Sequence, residues 1–253
     1  METIAHIKEE FAKAEGKNRA FLYQKYEADE RKGVQNLLLR YKKEDAALEK
    51  EMKRLQQMKS YEMQYGQEYD VICGIDEAGR GPLAGPVVAA ACILPKDEDI
   101  LYINDSKKLS AKKRELLYEE ICEKAVAYGI GIVSQGRIDE INILQATYEA
   151  MRQAIDKLEV SPKLALVDAV TIPDITIRQV GIIKGDAKSV SIAAASILAK
   201  VTRDKMMEEM DILYPEYGFA KHKGYGSAEH IAALRKYGPC PIHRRTFIKN
   251  ILK

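Results

Sequence analysis

The chain has only four cysteines, Cys73, Cys92, Cys122 and Cys240, all far apart and none in a C-x-x-C pair. That spacing argues against a zinc ribbon or a disulfide framework and fits reduced thiols, as expected of a cytoplasmic protein. No window holds 18 consecutive apolar residues, so no membrane-spanning helix is expected. The opening Met-Glu-Thr-Ile-Ala-His-Ile-Lys-Glu-Glu lacks a basic stretch followed by an apolar one, so no secretory signal is expected either. A phosphate loop of the form G-x-x-x-x-G-K-[ST] is missing, as are internal repeats and low-complexity tracts. No proline precedes Pro82.

What is present is an ordinary globular composition, 46% hydrophobic and 31% charged, with a net charge of +2. The charge is unevenly spread. Residues 184–253 hold 13 Lys/Arg against 7 Asp/Glu, which suits a polyanion or simply a solvated face. Residues 1–65 carry 14 basic and 12 acidic side chains and no strand-like run. Ile4, Ile7 and Phe11 recur at helical spacing, Gly16 stops that helix, and Asn18 can cap a second bearing Phe21, Leu22 and Tyr26. Leu37, Leu38, Leu39 and Tyr41 then lead into a Glu/Lys-rich stretch to Met63. Such composition fits a helical hairpin or a long exposed helix better than a compact core, and serves equally as a binding appendage or a solvated lead-in. Gln64–Glu68 reads as a linker.

After it the pattern becomes α/β. Apolar runs predict strands at Val71–Ile75, Val87–Leu94, Ala127–Val133, Leu164–Asp168 and Ile175–Ile183. Helices are predicted from Ser110 to about Ala125, with Leu116, Leu117, Ile121 and Cys122 inward, from Ile138 to Leu158, from Val190 to about Leu213, and from Ser227 to Gly238. Gly218–Gly226 reads as a polar loop and His243-Arg244-Arg245 as a basic tail.

Two of these strands end in acids, Asp76-Glu77 and Asp168, and Asp186 opens the turn into the last long helix. Strand ends of an open α/β sheet gather at one edge, where ligands bind. Carboxylates about 4 Å apart repel by roughly 4 kcal/mol per pair at an effective dielectric of about 20, so such a group protonates or takes up cations. All-oxygen ligands favour hard ions such as Mg²⁺ or Mn²⁺. Each acid also has an ordinary reading: a solvated turn for Asp76-Glu77, an Asx turn for Asp168, an N-cap for Asp186. Gly79-Arg80-Gly81 is no dinucleotide fingerprint, because Pro82 and a strand follow where a helix should. It is either a tight turn with a surface arginine, or glycines admitting a ligand beside a planar cation. Lys221-His222-Lys223-Gly224-Tyr225-Gly226 is either a basic surface loop or a phosphate track with a stacking ring.

Taken together, Gly-Ile-Asp76-Glu77-Ala-Gly79-Arg80-Gly81-Pro, Asp105-Ser106-Lys107, Leu-Val-Asp168, Gly185-Asp186-Ala-Lys188-Ser, the Ser191–Asp204 run and His222-Lys223-Gly-Tyr225-Gly resemble bacterial ribonuclease HII from about residue 70 to 245. The sister family, ribonuclease HIII, has an acidic-aromatic sequence where this chain has Arg80-Gly81-Pro82. The resemblance implies an α/β fold: a ribonuclease-H-like mixed five-stranded sheet flanked by helices. It also implies a catalytic domain over 67–214 whose helical, basic C-terminal part spans 215–253. The helical extension, 1–66, lies outside that motif pattern. The implied activity is endonucleolytic cleavage 5′ to ribonucleotides in RNA–DNA hybrids and at single ribonucleotides in duplex DNA, leaving 5′-phosphate and 3′-hydroxyl ends. Primer removal and ribonucleotide excision repair are the implied roles. Asp76, Glu77, Asp168 and Asp186 would be the catalytic, metal-binding acids, holding two Mn²⁺ or Mg²⁺ ions with substrate. Gly79, Arg80 and Gly81 would contact the 2′-hydroxyl and Tyr225 the neighbouring deoxyribose. Ser106, Lys107, Lys188, His222 and Lys223 are further implied substrate contacts. A monomer, with a replication or repair protein as partner of the N-terminal helices, completes the expectation. Two alternatives stand beside it: a non-catalytic nucleic-acid-binding protein, and a metal nuclease of the same fold acting on structured DNA.

Overall fold

The computed structural model describes residues 2–252 and divides into two compact units, Met1–Arg54 and Leu55–Lys253. The first unit contains α1 (Ile4–Lys13), α2 (Gly16–Tyr26) and most of α3 (Lys32–Met58). Contrary to the sequence expectation, it has a core of its own. Ile7, Phe11, Leu22, Tyr26, Val34, Leu37, Leu38 and Tyr41 are buried together, and the Phe11 and Tyr41 rings stack with centroids 4.9 Å apart. The many balanced charges hide this, because only one stripe of each helix has to turn inward. Asn18 lies within α2, which starts at Gly16, so it caps nothing.

The second unit adds α4 (Ser60–Tyr65), β1 (Ile72–Ala78), β2 (Val87–Ile93), α5 (Ala111–Lys124), β3 (Ala127–Val133), α6 (Gln135–Asp156), β4 (Leu164–Asp168), β5 (Arg178–Ile182), α7 (Val190–Leu213), α8 (Phe219–His222), α9 (Ala228–Tyr237) and α10 (Arg245–Ile248). The five strands form one mixed sheet in the order β3-β2-β1-β4-β5. β1 pairs antiparallel with β2 and parallel with β4. Along β2, Val88, Ala90 and Cys92 pack towards α5 and α7, while Val87, Ala89 and Ala91 pack towards α6. The result is a layer of helices on each face, as the near-continuous apolar strands require.

Close approach fixes α7 on β1. A Cβ at Gly74 would collide with the backbone of Ser191 and Ile192, so only glycine lets the helix lie this near. α7 is capped by Ser189, whose hydroxyl accepts from Ile192 N, and ends before Pro215 as expected. α6 departs from expectation, because Asn142 adopts φ 69° and interrupts it. Asn142 Oδ1 accepts from Leu144 N and Gln145 N at 3.0 and 3.1 Å, restarting the helix as a cap would. Leu116 is exposed, whereas Leu117 and Ile121 are buried as predicted. Fifth-strand pairing is confined to Arg178–Ile182, shorter than the alternating run.

Candidate active site

β1 runs on through both acids to Ala78, so Asp76 and Glu77 are strand residues. The parallel register with β4 sets Ile75 opposite Val167, which brings the next residues, Asp76 and Asp168, side by side. Beyond β5, Lys184 in the left-handed region turns the chain into Gly185–Ala187. That turn is tied to the sheet by Gly185 N donating to Asp168 Oδ1 at 2.7 Å. Asp186 is thereby added to the pair. Among the described residues, Asp76, Asp168 and Asp186 each offer a carboxylate oxygen within 4.8 Å of the others. Glu77 stands outside this triad, with its Oε1 3.3 Å from Arg80 Nη1.

Asp76 is only 5% exposed and Asp186 only 7%. Burial, then the charges of Glu77 and Asp168, push the Asp76 carboxyl well above its ordinary range. Asp186 is raised by burial and by Asp105 and Asp168, and Glu77 by burial, against the lowering effect of Arg80. Burial opposes the Lys107 ammonium, yet Asp76, Asp186, Asp105 and Asp168 together raise its pKa, so this exposed lysine belongs to the same field. Three crowded carboxylates, with Lys107 at the edge of their field, form an all-oxygen set suited to a hard divalent cation. A second acidic group, Glu2, His6 and Glu10 in the first unit, is already matched by Lys25 at 3.2 and 3.1 Å.

Gly79, Arg80 and Gly81 follow β1 directly. Gly79 is buried at φ 94°, while Arg80 and Gly81 are exposed. A Cβ on Gly81 would lie 3.8 Å from Tyr225 Cε1, so the half-exposed Tyr225 ring (46%) borders the turn. Leu83 N donates to Gly224 O at 2.8 Å and joins the two loops. Ser106 is buried rather than open, its hydroxyl 2.9 Å from that of Ser196, whose influence on Asp76 favours the ionised carboxylate. Lys188 is exposed just after the turn that carries Asp186.

Two expected contacts look elsewhere. His222 engages Tyr217 O through Nε2 at 2.8 Å, accepts from Gly224 N at Nδ1, and stacks on His230 at 4.5 Å. Lys223 donates its amine to Glu208 and Ala220 O at 2.6 and 2.7 Å. Both side chains are partnered within the protein, whereas Tyr225 of the same loop stays half exposed. Nor is His243-Arg244-Arg245 a solvated basic tail: His243 and Arg244 are buried, and the Arg244 guanidinium lies among backbone carbonyls of residues 79–86. Arg203 on α7 does the same from the other side. Neither arginine stood out beforehand. The available signal was the helical spacing that puts Arg203 in line with Ala199 and Met207 on the buried side of α7.

Comparison with known proteins agrees with this geometry. A family model described as Ribonuclease HII matches residues 73–250, and one described as Ribonuclease HII N-terminal domain matches residues 3–66. A Ribonuclease HII of Lachnoclostridium phytofermentans is 64% identical over 227 residues, covering 90% of this chain and 89% of that protein. The ribonuclease H2 of Pyrococcus horikoshii superposes with a TM-score of 0.61 at 30% identity, over 72% of this chain and 97% of that one. The RNase HII of Archaeoglobus fulgidus, solved in complex with PCNA, does so with a TM-score of 0.58 at 30% identity, over 69% and 94% of the respective chains.

Proposed function

The chain belongs to the ribonuclease HII family, and from that premise we propose that it cuts the phosphodiester 5′ to ribonucleotides, in RNA–DNA hybrids and at single ribonucleotides in duplex DNA. Ribonuclease H activity comes with the family; the site of cutting and the single-ribonucleotide substrate are the proposal. It is supported by one juxtaposition: Asp76 of the carboxylate triad lies on β1 three residues before the Gly79-Arg80-Gly81 turn, with Tyr225 beside that turn.

In this reading Asp76, Asp168 and Asp186 would hold divalent metal, Mg²⁺ or Mn²⁺, and Glu77, paired with Arg80, would be the fourth acid of the set. Bound metal would supply activation of the attacking water and neutralisation of the leaving 3′-oxygen. Gly185 N orients Asp168, and Glu77 N donates to Asp76 Oδ1 at 2.8 Å, so both carboxylates are held ready before substrate arrives. Gly79-Arg80-Gly81 presents amide groups and a guanidinium to the sugar, and Tyr225 lies against the adjoining deoxyribose. Lys107 and Lys188 offer charge to the phosphates at the rim. The products carry 5′-phosphate and 3′-hydroxyl ends. Ribonucleotide excision and primer removal by a cytoplasmic monomer are the roles that follow, with residues 67–253 as the catalytic domain and 1–66 as an extension that meets a replication or repair protein.

The test compares three duplexes with and without Mg²⁺ or Mn²⁺: all-DNA, RNA–DNA hybrid, and DNA carrying one ribonucleotide. Metal-dependent nicking of the last two, with end analysis placing the cut 5′ to the ribonucleotide, is the expected result. Equal nicking of all-DNA duplex would overturn the proposal.

A further inference from the structure

Arg203 and Arg244 are the two bulkiest fully buried side chains among the described residues, at 1% and 0% exposure. Buried arginines ordinarily face carboxylates. These two face carbonyls. Arg203 donates to Pro86 O at 3.0 Å, Ala84 O at 3.1 Å and Lys223 O at 2.9 Å. Arg244 donates to Gly79 O at 2.5 Å, Arg80 O at 2.8 Å, Gly85 O at 3.0 Å and Pro86 O at 3.2 Å. Burial lowers both guanidinium pKa values, Arg244 to about 9, and their mutual repulsion adds to the shift for Arg244. Holding two such charges in the interior is costly unless the hydrogen bonds they make are needed. Every one of those bonds ends on residues 79–86 or on Lys223.

The geometry around them is tight. A Cβ on Gly79 would run into the Arg203 side chain, and one on Gly85 into Met207 of the same helix. The Arg203 guanidinium also lies 5.9 Å from the centroid of the Tyr225 ring. Backbone pairing of Leu83 O with Arg244 N and of Gly85 N with Ile242 O, each at 2.8 Å, anchors the Arg244 segment to the same loop.

We propose that Arg203 and Arg244 are positioning residues for ribonucleotide selection: a paired guanidinium clamp that sets the spacing between the Gly79-Arg80-Gly81 turn and Tyr225. Neither touches substrate, since neither reaches the surface. Arg244 fixes the carbonyls of Gly79 and Arg80, which orients the amides and side chain of the turn outward. Arg203 bridges Pro86 on one loop to Lys223 on the other, two residues before Tyr225. Lysine cannot replace either, because one ammonium cannot span carbonyls that the planar fork reaches together. The inference rests on the reading of this site as a ribonucleotide reader.

Arg203→Lys and Arg244→Lys keep the charge and remove the fork, and Gly79→Ala pushes on Arg203 from the opposite side. Each is measured for kcat and KM on duplex DNA with one ribonucleotide, for the Mg²⁺ concentration giving half-maximal rate, and for its thermal midpoint. A fall of about 10- to 100-fold in kcat, with KM and the Mg²⁺ requirement near wild type and a cooperative midpoint above the assay temperature, is expected. Wild-type kcat in both arginine variants would overturn the clamp while leaving the nuclease reading intact. A shifted Mg²⁺ requirement, or failure of both variants to fold at any temperature, would also overturn it, since the arginines would then serve the metal site or the core. Failure of the wild-type protein to nick this duplex strikes instead at the underlying reading.

Discussion

Asp76 has a conflict built into it. It must be ionised to hold a cation, yet it is buried beside Glu77 and Asp168, which favour the protonated form. A carboxyl whose folded pKa is raised contributes stability that is fully present below the unfolded value and is lost as pH rises through the folded one. Without metal, the protein should therefore lose stability as pH climbs from the ordinary carboxylate range towards neutrality, and Mg²⁺ should restore it. Asp76→Asn is expected to raise the metal-free thermal midpoint at neutral pH, by about 2–4 °C for each kcal/mol of repulsion relieved. An unchanged or lower midpoint in scanning calorimetry would contradict this. The same raised pKa values make protons compete with metal, so the half-activating Mg²⁺ concentration should fall as pH rises through them. At Tyr225 the expected effect differs in kind. Half exposed, with its ring bordering Gly81, it should when changed to Ala cost cutting at lone ribonucleotides but little stability; equal loss of both in parallel assays would make it a packing residue.

At the scale of elements, the site depends on α7 lying close against β1. Gly74→Ala introduces a Cβ into the backbone of Ser191 and Ile192, so the helix has to move. Chemical denaturation should show a loss of at least about 2 kcal/mol, and Mg²⁺ activation should weaken because Ser196, which favours the ionised form of Asp76, rides on that helix. β3, β4 and α7 were legible because each is an apolar run with a marked end: Val133, Asp168, and Ser189 with Pro215. The acids were legible for the same reason, abutting strands that had to be buried. What could not be read were partnerships with backbone. Arg244 sits in what looks like a basic tail, and its partners are carbonyls more than 150 positions away, which leave no mark in side-chain chemistry. The same holds for His222, whose ring engages Tyr217 O and Gly224 N.

Across the whole molecule, two units hold separate cores and only one carries the triad. The core of the first escaped the sequence reading because its apolar stripes are short and surrounded by balanced charge. Phe11→Ala should destabilise that unit by about 3–5 kcal/mol, yet leave the Mg²⁺ requirement for cutting unchanged. A large change in that requirement would mean that the metal site depends on the first unit. No helix among the described residues is long and apolar enough to cross a membrane. The central claim is that Asp76, Asp168 and Asp186 together make a metal-dependent cutting site beside a ribonucleotide reader. It is tested most directly by titrating Mg²⁺ into wild type and Asp76→Asn, each bound to a duplex with a single ribonucleotide, while following nicking and binding together. Metal-dependent nicking by wild type, with binding but no nicking by Asp76→Asn, is the predicted result. Undiminished turnover by the variant, or nicking by wild type in EDTA, would contradict it.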